Sequence, residues 1–169
     1  IGKLNFPIIR KYVDETVLVK ESTIEKAISL FLMKEKVLVE GAGALGLAAL
    51  LEENKFRKRK NIGIIACGGN LDSRVLSSLL MRDLERKKQI LTLSIDMEDK
   101  PGQLNNISNI CAKEKINILA VEHSRFTLDL SIRAARLNIT LETQNKEHAK
   151  RVIKKIEKEG FKVQEKSND

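Results

Sequence analysis

Two short stretches of this 169-residue chain set chemistry-bearing residues at spacings that could hold a ligand. The first is Asp99-Lys100-Pro101-Gly102-Gln103-Leu104. Before it, Ile90, Leu91, Leu93, Ile95 and Met97 largely alternate with polar residues, as a half-buried strand does. After it, Leu104, Ile107, Ile110 and Cys111 recur at helical spacing. Pro101 suits a first helical turn, where its missing N–H costs nothing. Gly102 has no side chain, so a ligand can approach the backbone. Free amides and the positive dipole end of a helix favour a carboxylate, which makes this turn a candidate receptor for a free amino acid. Alone, a Pro-Gly pair is usually an ordinary turn. The second stretch is split between Glu40-Gly41-Ala42-Gly43 and Cys67-Gly68-Gly69-Asn70. Each follows an apolar run (Val37-Leu38-Val39 and Ile62–Ala66) and precedes a helix-like one. A strand running through a glycine turn into a helix is how α/β proteins place phosphates and cofactors. By itself Cys67 also reads as a small buried hydrophobe at a strand end.

Stepping outward from these residues, composition narrows the options. Hydrophobic residues at 42% and charged residues at 32% describe a globular protein. No apolar run approaches the roughly 20 residues that span a bilayer, and no signal peptide opens the chain, so we expect a cytoplasmic protein without membrane contact. Ile1, not Met, stands first and is read as lying inside a longer gene product. The net charge is +8, but the cations are spread out, apart from Arg57-Lys58-Arg59-Lys60 and the run around Lys150, Arg151, Lys154 and Lys155. These read as solvated faces. Aromatic residues at 4% leave little for stacking bases, so no nucleic-acid partner is expected. Cys67 and Cys111 sit in unlike settings; neither a disulfide nor a metal site is expected.

The chain divides at the charged stretch 85–89, giving expected domains 1–88 and 89–169. The second half alternates strand 90–97, helix 102–114, strands 116–126 and 132–143, helix 146–159 stopped by Gly160, and a short strand at Phe161–Val163. That βαββαβ order predicts a four-stranded antiparallel sheet with two helices on one face, an α+β ferredoxin-like domain. The first half is predicted to have strands at Thr16–Val19, Val37–Val39 and Ile62–Ala66. A helix opens on a Ser22–Glu25 capping box and continues to about Lys34; others run to Glu53 and over 71–86. Few strands in under 90 residues make a thin core, so this half reads as part of a larger sheet.

Glu40-Gly-Ala-Gly-Ala-Leu-Gly-Leu-Ala-Ala-Leu50, followed by Ala66-Cys-Gly-Gly-Asn-Leu-Asp72, resembles the end of the catalytic domain of threonine dehydratases, within the tryptophan-synthase-β-like enzymes that use pyridoxal phosphate. Asp99–Leu104 with Ile116-Asn117-Ile118 resembles the ACT regulatory domain. The resemblance implies an α/β fragment of a pyridoxal-phosphate domain followed by an ACT domain, and a lyase taking L-threonine to 2-oxobutanoate and ammonia in isoleucine biosynthesis. It implies that Cys67 approaches the pyridine nitrogen, that Gly68 and Gly69 let the backbone pass the ring, that Asn70 pins the turn, and that Glu40 is the acidic residue near the ring. A neutral thiol cannot protonate that nitrogen as an aspartate would, which makes the ring a weaker electron sink suited to β-elimination.

The family's Schiff-base lysine lies in a Ser-x-Lys-x-Arg type motif, absent here with the phosphate-binding tetraglycine loop. The chain alone is therefore expected to be inactive and to leave pyridoxal phosphate to the full-length enzyme. In ACT domains an amino-acid effector sits between one domain's first strand–helix loop and its neighbour's second strand. By that resemblance Asp99, Lys100, Gly102, Gln103 and Leu104 face the ligand, and Asn117 reaches in from a dimer partner. Isoleucine is the favoured effector, with valine or serine possible. His123, on the second strand, reads as a packed residue rather than a switch. Three alternatives stay open: a serine dehydratase or racemase fragment, a free-standing amino-acid-sensing ACT protein, and an RNA-binding sheet. The last has only Phe126 on a middle strand where aromatic residues are needed.

Overall fold

The computed structural model describes residues 2–125, 130–131 and 133–166, and the chain separates into two compact units, residues 1–79 and 80–169. In the second, β1 (Ile90–Glu98), α6 (Gln103–Lys113), β2 (Asn117–Ser124), β3 (Ala134–Glu142), α7 (Lys146–Lys158) and β4 (Lys162–Lys166) follow the predicted order. The strands lie β2-β3-β1-β4, every neighbour antiparallel. Alternation decides the faces. Leu91, Leu93 and Ile95 pair with Leu141, Ile139 and Leu137, and all six side chains are buried on one side. Ile107 and Cys111 of α6 and Ala149, Val152 and Ile156 of α7 close that core from above. Phe126 lies outside the described residues.

The turn before α6 differs from the expectation in one respect. Pro101 is not in the first helical turn. Gly102 is the N-cap, at φ +90°, and Pro101 precedes it. A left-handed cap demands a residue without a Cβ penalty, so glycine takes the boundary and moves proline out. His123 is exposed on the edge strand β2 and does not pack. The histidine that packs is His148, in the first turn of α7, at 3% exposure.

The first unit comprises α1 (Asn5–Tyr12), α2 (Glu21–Leu30) continued by a π-helical turn at Phe31–Glu35, α3 (Gly41–Glu52), the short α4 (Asn54–Arg57) and the first half of α5 (Ser73–Arg86). Its core joins Ala27 and Ile28 of α2, Val39, Ala44 and Ala48 of α3's approach and body, and Leu79. The three predicted strands are extended segments with no ladder among the described residues. Ile62–Ala66 is not buried: Ile65 is 85% exposed. A strand needs a neighbour to pair with, and an apolar run does not supply one. Ser22 is not a helix cap either. The helix starts at Glu21 with Lys20 as its cap, and the Lys20 N–H donates to Glu52 Oε2 at 3.0 Å instead. One of the basic runs is partly structural, since Arg57 Nε donates to the Leu50 carbonyl at 2.9 Å near the C-terminus of α3, where a cation also suits the dipole.

Candidate functional site

The glycine loop and the Glu40 segment meet in the first unit. The predicted loop Glu40–Gly43 is largely helix: α3 begins at Gly41, with Glu40 as its cap. The Glu40 N–H donates to the Gly68 carbonyl, which ties the two stretches together. Gly68 adopts φ +71°, and a Cβ there would fall on the Glu40 carboxyl, 2.6 Å from its Cγ. A Cβ on Gly43 would land on the Cys67 carbonyl oxygen, with Cys67 C and N each 2.9 Å away. Small residues at these positions thus let loop and helix touch backbone to backbone.

Cys67 is exposed and free, which removes its reading as a buried hydrophobe. Gly69 is open: a Cβ would meet only the Leu38 carbonyl, at 3.8 Å. Asn70 is exposed and makes no side-chain hydrogen bond among the described residues. The turn is pinned instead by Asp72, whose Oδ1 accepts from the Arg74 N–H at 2.8 Å and the Val75 N–H at 3.3 Å as the cap of α5. The missed signal was Asp72-Ser-Arg-Val, an acidic residue directly before a helix.

The second constellation lies on the β1–α6 turn of the other unit. No side chain caps α6, and among the described residues nothing lies within 4 Å of where a Gly102 Cβ would be. The first amides of the helix therefore have no side-chain cap, and they lie beside exposed Leu104 and half-buried Gln103. Asp99 stands at the rim, its N–H donating to the Arg133 carbonyl at 2.9 Å and its Oδ1 3.2 Å from Arg125 Nε. Lys100 turns away to pair with Glu98. Asn117 is not at this turn's hydrogen bonds: its Nδ2 donates to Glu142 Oε2 at 2.9 Å across the β2–β3 pair. Arg125 is the residue the sequence reading missed. It lies eight residues beyond Asn117 on the far end of β2, and only strand pairing brings that end to Asp99. Among the described residues there is no cluster that could hold a metal ion, and no helix is long and apolar enough to cross a membrane.

Comparison with known proteins gives both constellations a setting. Residues 1–68 match the pyridoxal-phosphate dependent enzyme family and residues 85–159 match the ACT domain. The chain is 33% identical over 162 residues to an L-threonine ammonia-lyase of Thermotoga maritima, covering 96% of this chain and 40% of that protein. It is 38% identical to one of Geobacter sulfurreducens with the same coverage. A serine racemase of Dictyostelium discoideum is 39% identical over 83 residues, 47% of this chain and 25% of that protein. The chain thus spans about two fifths of the ammonia-lyases it matches. Residues 1–68 thus form a segment matching pyridoxal-phosphate dependent enzymes, residues 85–159 an ACT domain, and the chain is similar to L-threonine ammonia-lyases along 96% of its length.

Proposed function

We propose that this chain is the C-terminal, regulatory part of a cytoplasmic pyridoxal-phosphate enzyme that converts L-threonine to 2-oxobutanoate and ammonia. Residues 1–88 are its catalytic-domain segment and 89–169 its ACT domain. When bound in the full-length enzyme, the cofactor supplies the electron sink for loss of the substrate's α-proton. The contribution of this chain is the loop. Cys67 offers the ring nitrogen a neutral hydrogen-bonding partner, Gly68 and Gly69 let the backbone run beside the ring, Asn70 borders it, and the Glu40 carboxylate is held against Gly68. Without the family's lysine the chain turns over no threonine by itself.

The observation that carries the regulatory half of this reading is the uncapped start of α6 over an open Gly102. Those amides take the carboxylate of a free amino acid, with the backbone of Lys100, Gln103 and Leu104 alongside. Asp99 takes the ammonium. Its present partner, Arg125, is an exposed ion pair worth about 0–1 kcal/mol, so exchange costs little. Asn117 contributes from the second copy in a homo-oligomer built through ACT domains, the exposed β2 edge giving the seam. Isoleucine is the favoured effector, ahead of valine or serine. Effector binding controls activity if one arrangement of the assembly binds it better than another. The similarity to a serine racemase supports a second reading, a serine-directed enzyme, for the first unit alone.

Calorimetric titration of the chain with each of the twenty amino acids tests the pocket. We expect isoleucine to bind, and Asp99→Ala to weaken it by about tenfold, as loss of a charge-assisted bond does. No binding by any amino acid to a dimeric chain would overturn it. Turnover of threonine against serine by the full-length enzyme separates the two substrate readings.

A further inference from the structure

Helix α3 offers one face to the segment that leads into the cofactor-side loop. Along that face Glu40 touches Gly68, Gly43 touches Cys67 and Gly46 touches Ile64, three contacts at steps of three residues. We propose that Gly43, with Gly46, is a positioning residue for Cys67: the bare face of α3 sets where the thiol stands. The inference rests on reading Cys67–Asn70 as the loop beside the pyridine ring.

The two glycines differ in what a methyl would meet. At Gly43 the obstacle is the Cys67 peptide itself, its C and N both 2.9 Å from the added Cβ. A peptide cannot rotate aside as a side chain does, so Gly43→Ala moves the loop on the order of 1 Å to restore ordinary contact. At Gly46 the obstacle is the Ile64 Cγ2 methyl at 2.8 Å, which a smaller side chain at 64 removes. Both substitutions raise helix propensity alike, by about 1 kcal/mol relative to glycine, so a difference between them reports the neighbour and not the helix. Gly43 is buried and Cys67 exposed, so the reporting thiol stays accessible while the contact that places it does not.

The test has two arms. In the present chain, the rate of Cys67 alkylation by iodoacetamide is followed by peptide mass spectrometry, with buried Cys111 as the internal reference. Gly43→Ala is expected to change the Cys67 rate by about threefold or more, because thiol reactivity follows its surroundings, while Cys111 is unmoved. Gly46→Ala changes it less, and adding Ile64→Ala returns it to the wild-type value. In the full-length enzyme, Gly43→Ala shifts the cofactor absorbance band and weakens pyridoxal phosphate binding on the order of tenfold, the scale of an ångström-sized misplacement. Wild-type alkylation together with wild-type cofactor affinity in Gly43→Ala overturns the proposal. So does a Gly46→Ala effect that Ile64→Ala fails to reverse, which keeps the question answerable if Gly43→Ala does not fold. A wild-type full-length enzyme that takes up no pyridoxal phosphate defeats the functional reading instead, and the alkylation arm then judges the geometry alone.

Discussion

Glu114, at the end of α6, carries more charge pairing than any residue at either candidate site. It accepts from Arg151 Nε at 2.8 Å and from Lys155 Nζ, both on α7. The Arg151 guanidinium first, and the Lys155 ammonium second, hold its carboxyl down to about 2 from an ordinary value of 4.5. A carboxyl depressed in the folded state stabilises above its unfolded value and loses that contribution as pH falls through the folded one. The pairs should therefore stabilise fully above about pH 4.5 and fade towards about pH 2. Thermal unfolding of wild type and Glu114→Gln across that window checks this: the gap between them should be widest near neutrality and close in acid. The same two cations account for part of the basic run around Lys150 that the sequence suggests is merely solvated. Asp99 differs in its own exposure: its carboxylate is 36% exposed beside a single cation, Arg125, where the Glu114 carboxylate is 9% exposed between two.

At the scale of elements, α6 and α7 are joined by a buried histidine. The Nδ1 of His148 accepts from the Gln144 N–H at 3.3 Å, and its Nε2 lies 3.1 Å from the Glu114 carbonyl, so the ring works as acceptor at one end and donor at the other. Asn145 completes the junction by accepting from the His148 N–H at 2.9 Å as the cap of α7. His148→Ala removes the buried ring together with both of its backbone hydrogen bonds, at a cost of about 2 kcal/mol. Urea unfolding should show that loss as a lower midpoint with an unchanged slope. The βαββαβ order was readable because each element of that half obeys its own period; α7, for instance, puts Ala149, Val152 and Ile156 on one buried face. Its capping was not readable. A histidine three residues after Asn145 looks like any other first-turn residue until α6 is beside it.

For the whole molecule, the two units differ in how completely they bury their apolar residues. In the second, Leu93, Ile95, Leu137, Ile139 and Leu141 are all fully covered. In the first, Leu4, Phe6, Ile8, Ile9 and Tyr12 of the α1 region are exposed, α1 buries no residue at all, and Leu18 is 93% exposed. Regions with few buried apolar contacts open at lower free energy. Hydrogen exchange on this chain should accordingly show the amides of α1 and α2 exchanging well before those of β1 and β3. Equal protection in both units would contradict this.

By itself the sequence determined the α+β half, because periodicity is a local property read along the chain, while its motifs carried the resemblance to threonine dehydratases and ACT domains. It misled at Ile62–Ala66, where an apolar run promised a buried strand that has no ladder partner among the described residues. Only the tertiary structure decided that Gly43 lies under the Cys67 peptide, that Arg125 stands beside Asp99 and that His148, not His123, is the packed histidine. The first two join residues 24 and 26 positions apart, and His148 joins α7 to a residue of the α6 end 34 positions earlier. Contacts at that separation depend on how elements pack, and packing geometry leaves no mark in the local pattern.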